Sequence, residues 1–184
     1  LYIKSIFPNF DNIDFQTEDE FFIYPKRVKK ILELLAEKNI KVDWNSFIHF
    51  RTLSRVDEEM LELMKSSVVP SKPLKSGLLA DSDVLSNKHT RKHPSDSLKC
   101  GLSLSLGGES GSQRILDEII VKDGSVKQMK QGVEKLNKAK IYHVVSFMSG
   151  VPTETIDDLR KTVNLIKELY SKYEYFNINH IFPY

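Results

Sequence analysis

Cysteine is nearly absent from this chain: its 184 residues contain one, Cys100. That excludes a disulfide within the chain and any metal or cluster site built from several of its own thiolates. A reducing, cytoplasmic setting fits this usage. No apolar run approaches the ~20 residues that span a bilayer, so no membrane role is expected. The opening LYIKSIFPNF has no charged segment followed by an apolar one, and no secretory signal is read there. An excess of one charge is missing too. Lys and Arg number 27 against 25 Asp and Glu, and a net +2 is too small to suggest a nucleic-acid partner. The length suits one domain with a core, or part of a larger barrel. Starting at Leu1 and stopping at Tyr184 after an apolar strand-like run, the chain is expected to be a piece of something longer.

What is present is a β-α rhythm. PKRVKKILELLAEKN puts Val28, Ile31, Leu32 and Leu35 on one helical face, with Pro25 in the first turn, where its missing N–H is not needed. IKVDWNSFIHF reads as a strand. SRVDEEMLELMK reads as a helix capped by Ser54, with Met60, Leu61 and Met64 inward. LSLSLGG is the next strand, and Ser112 is expected to cap a helix carrying Ile115, Leu116, Ile119 and Ile120. SVKQMKQGVEKLNKAK opens on Ser125 and Gln128, a capping-box pair, and buries Val126, Met129, Val133 and Leu136. After the strand IYHVVSFMSG, the helix TIDDLRKTVNLIKELY is expected to turn Ile156, Leu159, Val163, Ile166 and Leu169 inward, and YFNINHIFPY closes as a strand. Strands near 12, 44, 103, 145 and 178 alternating with helices imply an α/β fold with a parallel sheet.

Residues 68–100 break the rhythm. Rich in Ser, Lys, Pro and Asp and without a sustained period, they read as an irregular, disordered insertion between a first part, 1–67, and a later part, 101–184. The run KHTRKHP within it could hold phosphate or, through His89 and His93, a metal, but a solvated basic stretch is the plainer reading.

Parallel sheets place their ligands at the carboxyl ends of their strands. In LSLGGESGSQRIL the glycines Gly107, Gly108 and Gly111 allow a small polar ligand to approach backbone N–H groups, and Glu109 could accept from hydroxyls or an ammonium group. SFMSGVPTET turns through Gly150 and Pro152, sets Glu154 before a helix and offers Thr155 as its cap. TEDEFF supplies Glu18, Asp19 and Glu20 after the first strand. Each stretch alone also reads as turn-and-cap chemistry or a solvated acidic loop. Their succession on strand ends is what suggests one site for a ligand with hydroxyls and a cationic group.

The stretches IDFQTEDEFFIYPKRV, LSRVDEEMLELMK, GGESGSQRILD and FMSGVPTETIDDLRKT, in this order, resemble radical S-adenosylmethionine (radical SAM) enzymes, in particular those with an N-terminal cobalamin-binding domain. The resemblance covers nearly the whole chain outside 68–100. It implies a partial TIM-like (β/α) barrel, truncated at its N-terminus, whose rim holds S-adenosylmethionine and a [4Fe-4S] cluster. Carried over by position, Gly108, Glu109 and Ser110 would line the ribose and amino-acid part of S-adenosylmethionine. Gly150 and Glu154 would support its adenine side, and Glu18 and Asp19 would lie by the methionine moiety or a small-molecule substrate. The intact enzyme would form a 5′-deoxyadenosyl radical, the difficult chemistry being the cofactor's.

Three departures qualify the resemblance. The family's C-x3-C-x2-C cluster motif is missing, so the cluster ligands, like any cobalamin domain, would belong to a missing N-terminal part, and this chain alone is expected to be inactive. Where the family often has an arginine after the tryptophan, this chain has His49, read as structural, with Arg51 beyond it. The insertion is the third departure. A non-catalytic, barrel-derived binding module is the competing expectation.

Overall fold

The computed structural model describes residues 12–14, 21–68, 101–170 and 174–181. They form five strands in one parallel sheet: β1 (Asn12–Asp14), β2 (Asp43–Phe47), β3 (Leu102–Glu109), β4 (Tyr142–Ser149) and β5 (Glu174–His180). Between them run α1 (Pro25–Glu37), the single turn α2 (Phe50–Leu53), α3 (Glu58–Ser66), a π-helical turn (Ile115–Ile120), α4 (Val126–Ala139) and α5 (Ile156–Leu169). The expected alternation of parallel strands and helices is therefore what the chain adopts. Residues 69–100, including Cys100, His89 and His93, lie outside the described residues, as do Glu18 and Asp19.

The strands lie in chain order, β1-β2-β3-β4-β5, each pairing with its predecessor and successor. Right-handed crossovers that always step in the same direction put every helix on one face of the sheet. Burial along the strands agrees. Trp44, Leu102, Leu104, Leu106, Val145 and Phe147 are buried and join one core with residues of α1, α3, α4 and α5. The register sets Trp44 beside Leu102 and Leu106 beside Val145, so these alternate residues share the helix-covered face. Trp44 packs against Phe21 and Phe22, and its indole N–H donates to Ser67 Oγ at 3.0 Å. His143, 2% exposed on the same face, is held through Nδ1 and the Ile141 carbonyl at 2.9 Å.

The other face carries the intervening residues, among them Asn45, Phe47, Ser103, Ser105, Gly107, Tyr142, Val144, Ser146, Met148, Asn177 and Asn179, half-buried or exposed. No described helix covers it. One face is thus an apolar core, and the other mixes polar residues with Phe47, Tyr142, Val144 and Met148.

Three expectations need correction. The cap of α3 is Asp57, whose carboxylate accepts from Met60 N at 2.8 Å; Ser54 instead ends α2. Ser112 caps nothing with its hydroxyl, which donates to Asp158. On α5 the buried stripe is Asp158, Thr162, Leu165 and Leu169, while Ile156, Leu159 and Val163 face outward. The helix carries apolar residues on two neighbouring stripes, and periodicity alone does not say which goes inside.

Candidate functional site

Glycines shape the end of β3. A Cβ on Gly108 would stand 2.8 Å from Val145 Cγ1 and 3.0 Å from Phe147, so its place on the core face has no room for a side chain. Gly107 points to the helix-free face, where an added Cβ would overlap the Glu109 carboxylate and the Lys122 ammonium. The pairing with β4 shifts register between Gly107 and Glu109, and Glu109 adopts φ 60°, a left-handed conformation uncommon for a glutamate. This bend lays the carboxylate back over Gly107 on the open face. There Lys122 Nζ donates to Glu109 Oε1 at 2.5 Å and to the Gly107 carbonyl at 2.9 Å. Both side chains are 21% exposed. The end of β3 is a seat for an ammonium group, filled by one from this chain.

The loop after Glu109 is clamped to α5. Ser110 is 1% exposed; its hydroxyl accepts from Ser112 N at 3.1 Å and lies 3.3 Å from Thr162 Oγ1. Gly111 N donates to Thr162 Oγ1 at 2.9 Å. A Cβ on Gly111 would fall 2.5 Å from Thr162 Cα and 2.8 Å from the Lys161 carbonyl, so the loop rests directly on helix backbone. Asp158 is the hub: Ser112 Oγ donates to its Oδ1 at 2.5 Å, and Arg114 Nη2 to its Oδ2 at 2.5 Å. Thr155 N and Oγ1 also donate to Oδ2, and Asp158 N returns a bond to Thr155 Oγ1, completing a capping box. The Arg114 guanidinium above all, then Ser112 and Thr155, hold the Asp158 carboxyl well below the usual carboxylate range. Arg114 also reaches the Thr153 carbonyl at 3.0 Å, binding the β4–α5 turn into the same network.

That turn closes the rim beside β5. Gly150, at φ 80°, donates its N–H to Glu154 Oε2 at 2.6 Å, and a Cβ there would stand 2.7 Å from the Ile181 carbonyl. Ser149 Oγ and His180 Nδ1 are 2.9 Å apart. Glu154 Oε1 and Asn45 Oδ1 are buried oxygens without a hydrogen-bond partner. Register aligns Gly107 with Ser146, and Ser146 with Asn177, so a polar row crosses the open face at the level of the Glu109–Lys122 pair.

Of the residues expected at the site, Gly108, Glu109 and Ser110 share one strand end and loop, joined to the Gly150–Glu154 turn through Arg114 and Asp158. Gly150 and Glu154 bond each other across their own turn. His49 is exposed at the start of α2, not packed as a structural histidine, and Arg51 pairs with Asp123. His49, Phe50, Gly107, Lys122 and Gly124 line a cavity of about 20 Å³, room for one water. Sequence reading missed Lys122, which follows the π-helical turn and belongs to no motif. It also missed Ser146, Asn177 and Asn179, although the alternation in NINH marked the two asparagines. No group of three or more potential metal-ligating side chains occurs among the described residues. Nor, among these residues, is any helix long and apolar enough to cross a membrane. No family model matches the chain, and no curated protein matches it.

Proposed function

We propose that this chain is part of a radical S-adenosylmethionine enzyme, forming the middle and later units of a partial (β/α) barrel, and that it holds S-adenosylmethionine on the helix-free face of its sheet. The observation that carries this reading is the ammonium seat at the end of β3, where Gly107 O and Glu109 Oε1 both accept from Lys122 Nζ. A ligand bearing an ammonium and hydroxyls that displaces Lys122 finds there a carboxylate, the Gly107 carbonyl and a neighbouring polar row. The strictly sequential strand order, with helices on one side, also suits a sheet that curls toward closure around its open face.

The cluster is a separate matter. A [4Fe-4S] cluster needs thiolate ligands, usually several from one protein, and this chain has one cysteine. The residues present do not fit it, and its ligands would have to come from elsewhere in an intact enzyme, as would a cobalamin site. What these residues do in the proposal is bind and orient. Glu109 takes the ligand's cationic group in place of Lys122, Gly107 leaves room for the Glu109 carboxylate to fold back over the strand, and the Asp158 network fixes the loop that carries Glu109.

Calorimetric titration of the chain with S-adenosylmethionine tests the reading. A charge-assisted hydrogen bond contributes about 1.5–3 kcal/mol, so Glu109→Gln should weaken binding by about 10- to 100-fold. Removing the internal competitor in Lys122→Met should tighten it. Absence of binding, or binding indifferent to Glu109→Gln, refutes the assignment. A non-catalytic binding module accounts for the single cysteine equally well, and both readings expect anaerobic iron–sulfur reconstitution to leave this chain without a cluster. A stoichiometric cluster in this chain, lost in Cys100→Ala, would refute the statement that its residues do not fit one.

A further inference from the structure

We propose that residues 121–124 form a strained strap that Lys122 holds closed over the end of β3, and that a ligand's ammonium group releases it by taking Lys122's place. This control of the seat rests on the reading of the β3 end as a ligand site. The strap's backbone works against its own closed form. Val121 ends the π-helical turn at φ 52°, in the left-handed region. Glycine and asparagine close helix ends this way readily, whereas a β-branched residue there is an outlier. Burial does not offset the strain, because Val121 is 77% exposed. The turn is closed by Lys122 N, which donates to the Leu116 carbonyl at 3.0 Å.

The rest of the strap is held weakly. Lys122, Asp123 and Gly124 line the cavity of about 20 Å³ shared with His49 and Gly107, so room for a water lies beside them. A Cβ on Gly124 would meet nothing within 4 Å. Asp123 pairs with Arg51, but both side chains are more than half exposed, where an ion pair contributes little and salt screens it. Among the described residues, the strong hold is Lys122 Nζ on Glu109 Oε1 at 2.5 Å and on the Gly107 carbonyl at 2.9 Å, between side chains that are both 21% exposed. Glu109 is itself left-handed at φ 60°. One charge-assisted contact therefore keeps two strained residues in place. A ligand ammonium that occupies the seat removes that contact, and with it the main reason for Val121 to stay left-handed. Binding then loosens residues 121–124, the opposite of the ordering that ligands usually bring.

Hydrogen exchange of the whole chain, read by mass spectrometry over residues 121–125 and corrected for intrinsic rates, measures how often the strap opens. Val121→Asn, an exposed substitution that tolerates the left-handed turn, should slow exchange there about threefold. Lys122→Met, which removes the hold, should speed it about tenfold. Saturating S-adenosylmethionine should speed it as well. Methylammonium chloride separates the strap from the identity of the ligand. It should speed exchange over 121–125, while tetramethylammonium chloride at equal concentration, with no N–H to donate, should not. If S-adenosylmethionine fails to bind while methylammonium acts, the ligand assignment falls and the strap stands. Exchange that Val121→Asn leaves unchanged or speeds overturns the proposal, and so does exchange that methylammonium slows or leaves as tetramethylammonium does.

Discussion

Gly111→Ala offers a measurement of how tightly the loop after β3 is pressed onto α5. The added Cβ meets Thr162 Cα at 2.5 Å, with the Lys161 carbonyl and Thr162 N both at 2.8 Å. All three are backbone atoms of a helix, so neither a rotamer change nor truncation of the Thr162 side chain relieves the overlap. Overpacking of this kind costs about 1–3 kcal/mol. A Gly→Ala change also removes freedom from the unfolded chain, a gain of about 0.4–1 kcal/mol where the native conformation allows it. Gly124→Ala is the matched control, since a Cβ there meets nothing within 4 Å. The unfolded-state gain is common to both variants, so their difference isolates the collision. At about 2–4 °C per kcal/mol for a chain of this size, Gly111→Ala should melt about 2–12 °C below Gly124→Ala. Thermal unfolding followed by circular dichroism measures this, and adding Thr162→Ala should lower Gly111→Ala further instead of rescuing it. A Gly111→Ala protein that melts with the control, or above it, would refute the backbone-contact reasoning.

Two further substitutions test the network and the sheet. The Asp158 carboxyl is held below its ordinary range, so its stabilising contribution is present above the unfolded value of about 3.9 and fades as pH falls through the lower folded value. Asp158→Asn should therefore melt below the parent near pH 6, with the gap narrowing toward about pH 2; a gap constant with pH would count against the ionic role. Leu104, 0% exposed at the centre of β3, should cost about 2–5 kcal/mol as Leu104→Ala, whereas Ile178→Ala in β5, at a residue 56% exposed, should stay within about 0.5 kcal/mol by denaturant titration.

Much of this architecture was legible in the residues because β-α alternation is written in periodicity. The inward residues of α1, α3 and α4 were read correctly, since each has one apolar stripe. α5 was misread because it has two, and only the packing of Asp158 and Thr162 against the β3 loop decides between them. Caps were legible where a single candidate preceded the helix, as with Thr155 and Ser125. The capping box proved to be Thr155 with Asp158, while Gln128 turns back to the Ser125 hydroxyl. At the site, the glycines and Glu109 stood out as a strand-to-helix junction. Lys122 did not, because its partners lie 13 and 15 residues back across an irregular turn that no period predicts. The Arg114–Asp158 pair, 44 residues apart, was hidden for the same reason.

The strand order has a consequence for how the molecule comes apart. Among the described residues each strand pairs only with its neighbours in the chain, so stability is passed from unit to unit, as in repeat proteins. Opening can begin at either margin, β1 or β5, without disturbing the middle, and β3 is the last to be reached from both sides. The strand that carries Glu109 is therefore the one whose amides should exchange with solvent most slowly. Fraying at the margins leaves the geometry of the seat intact.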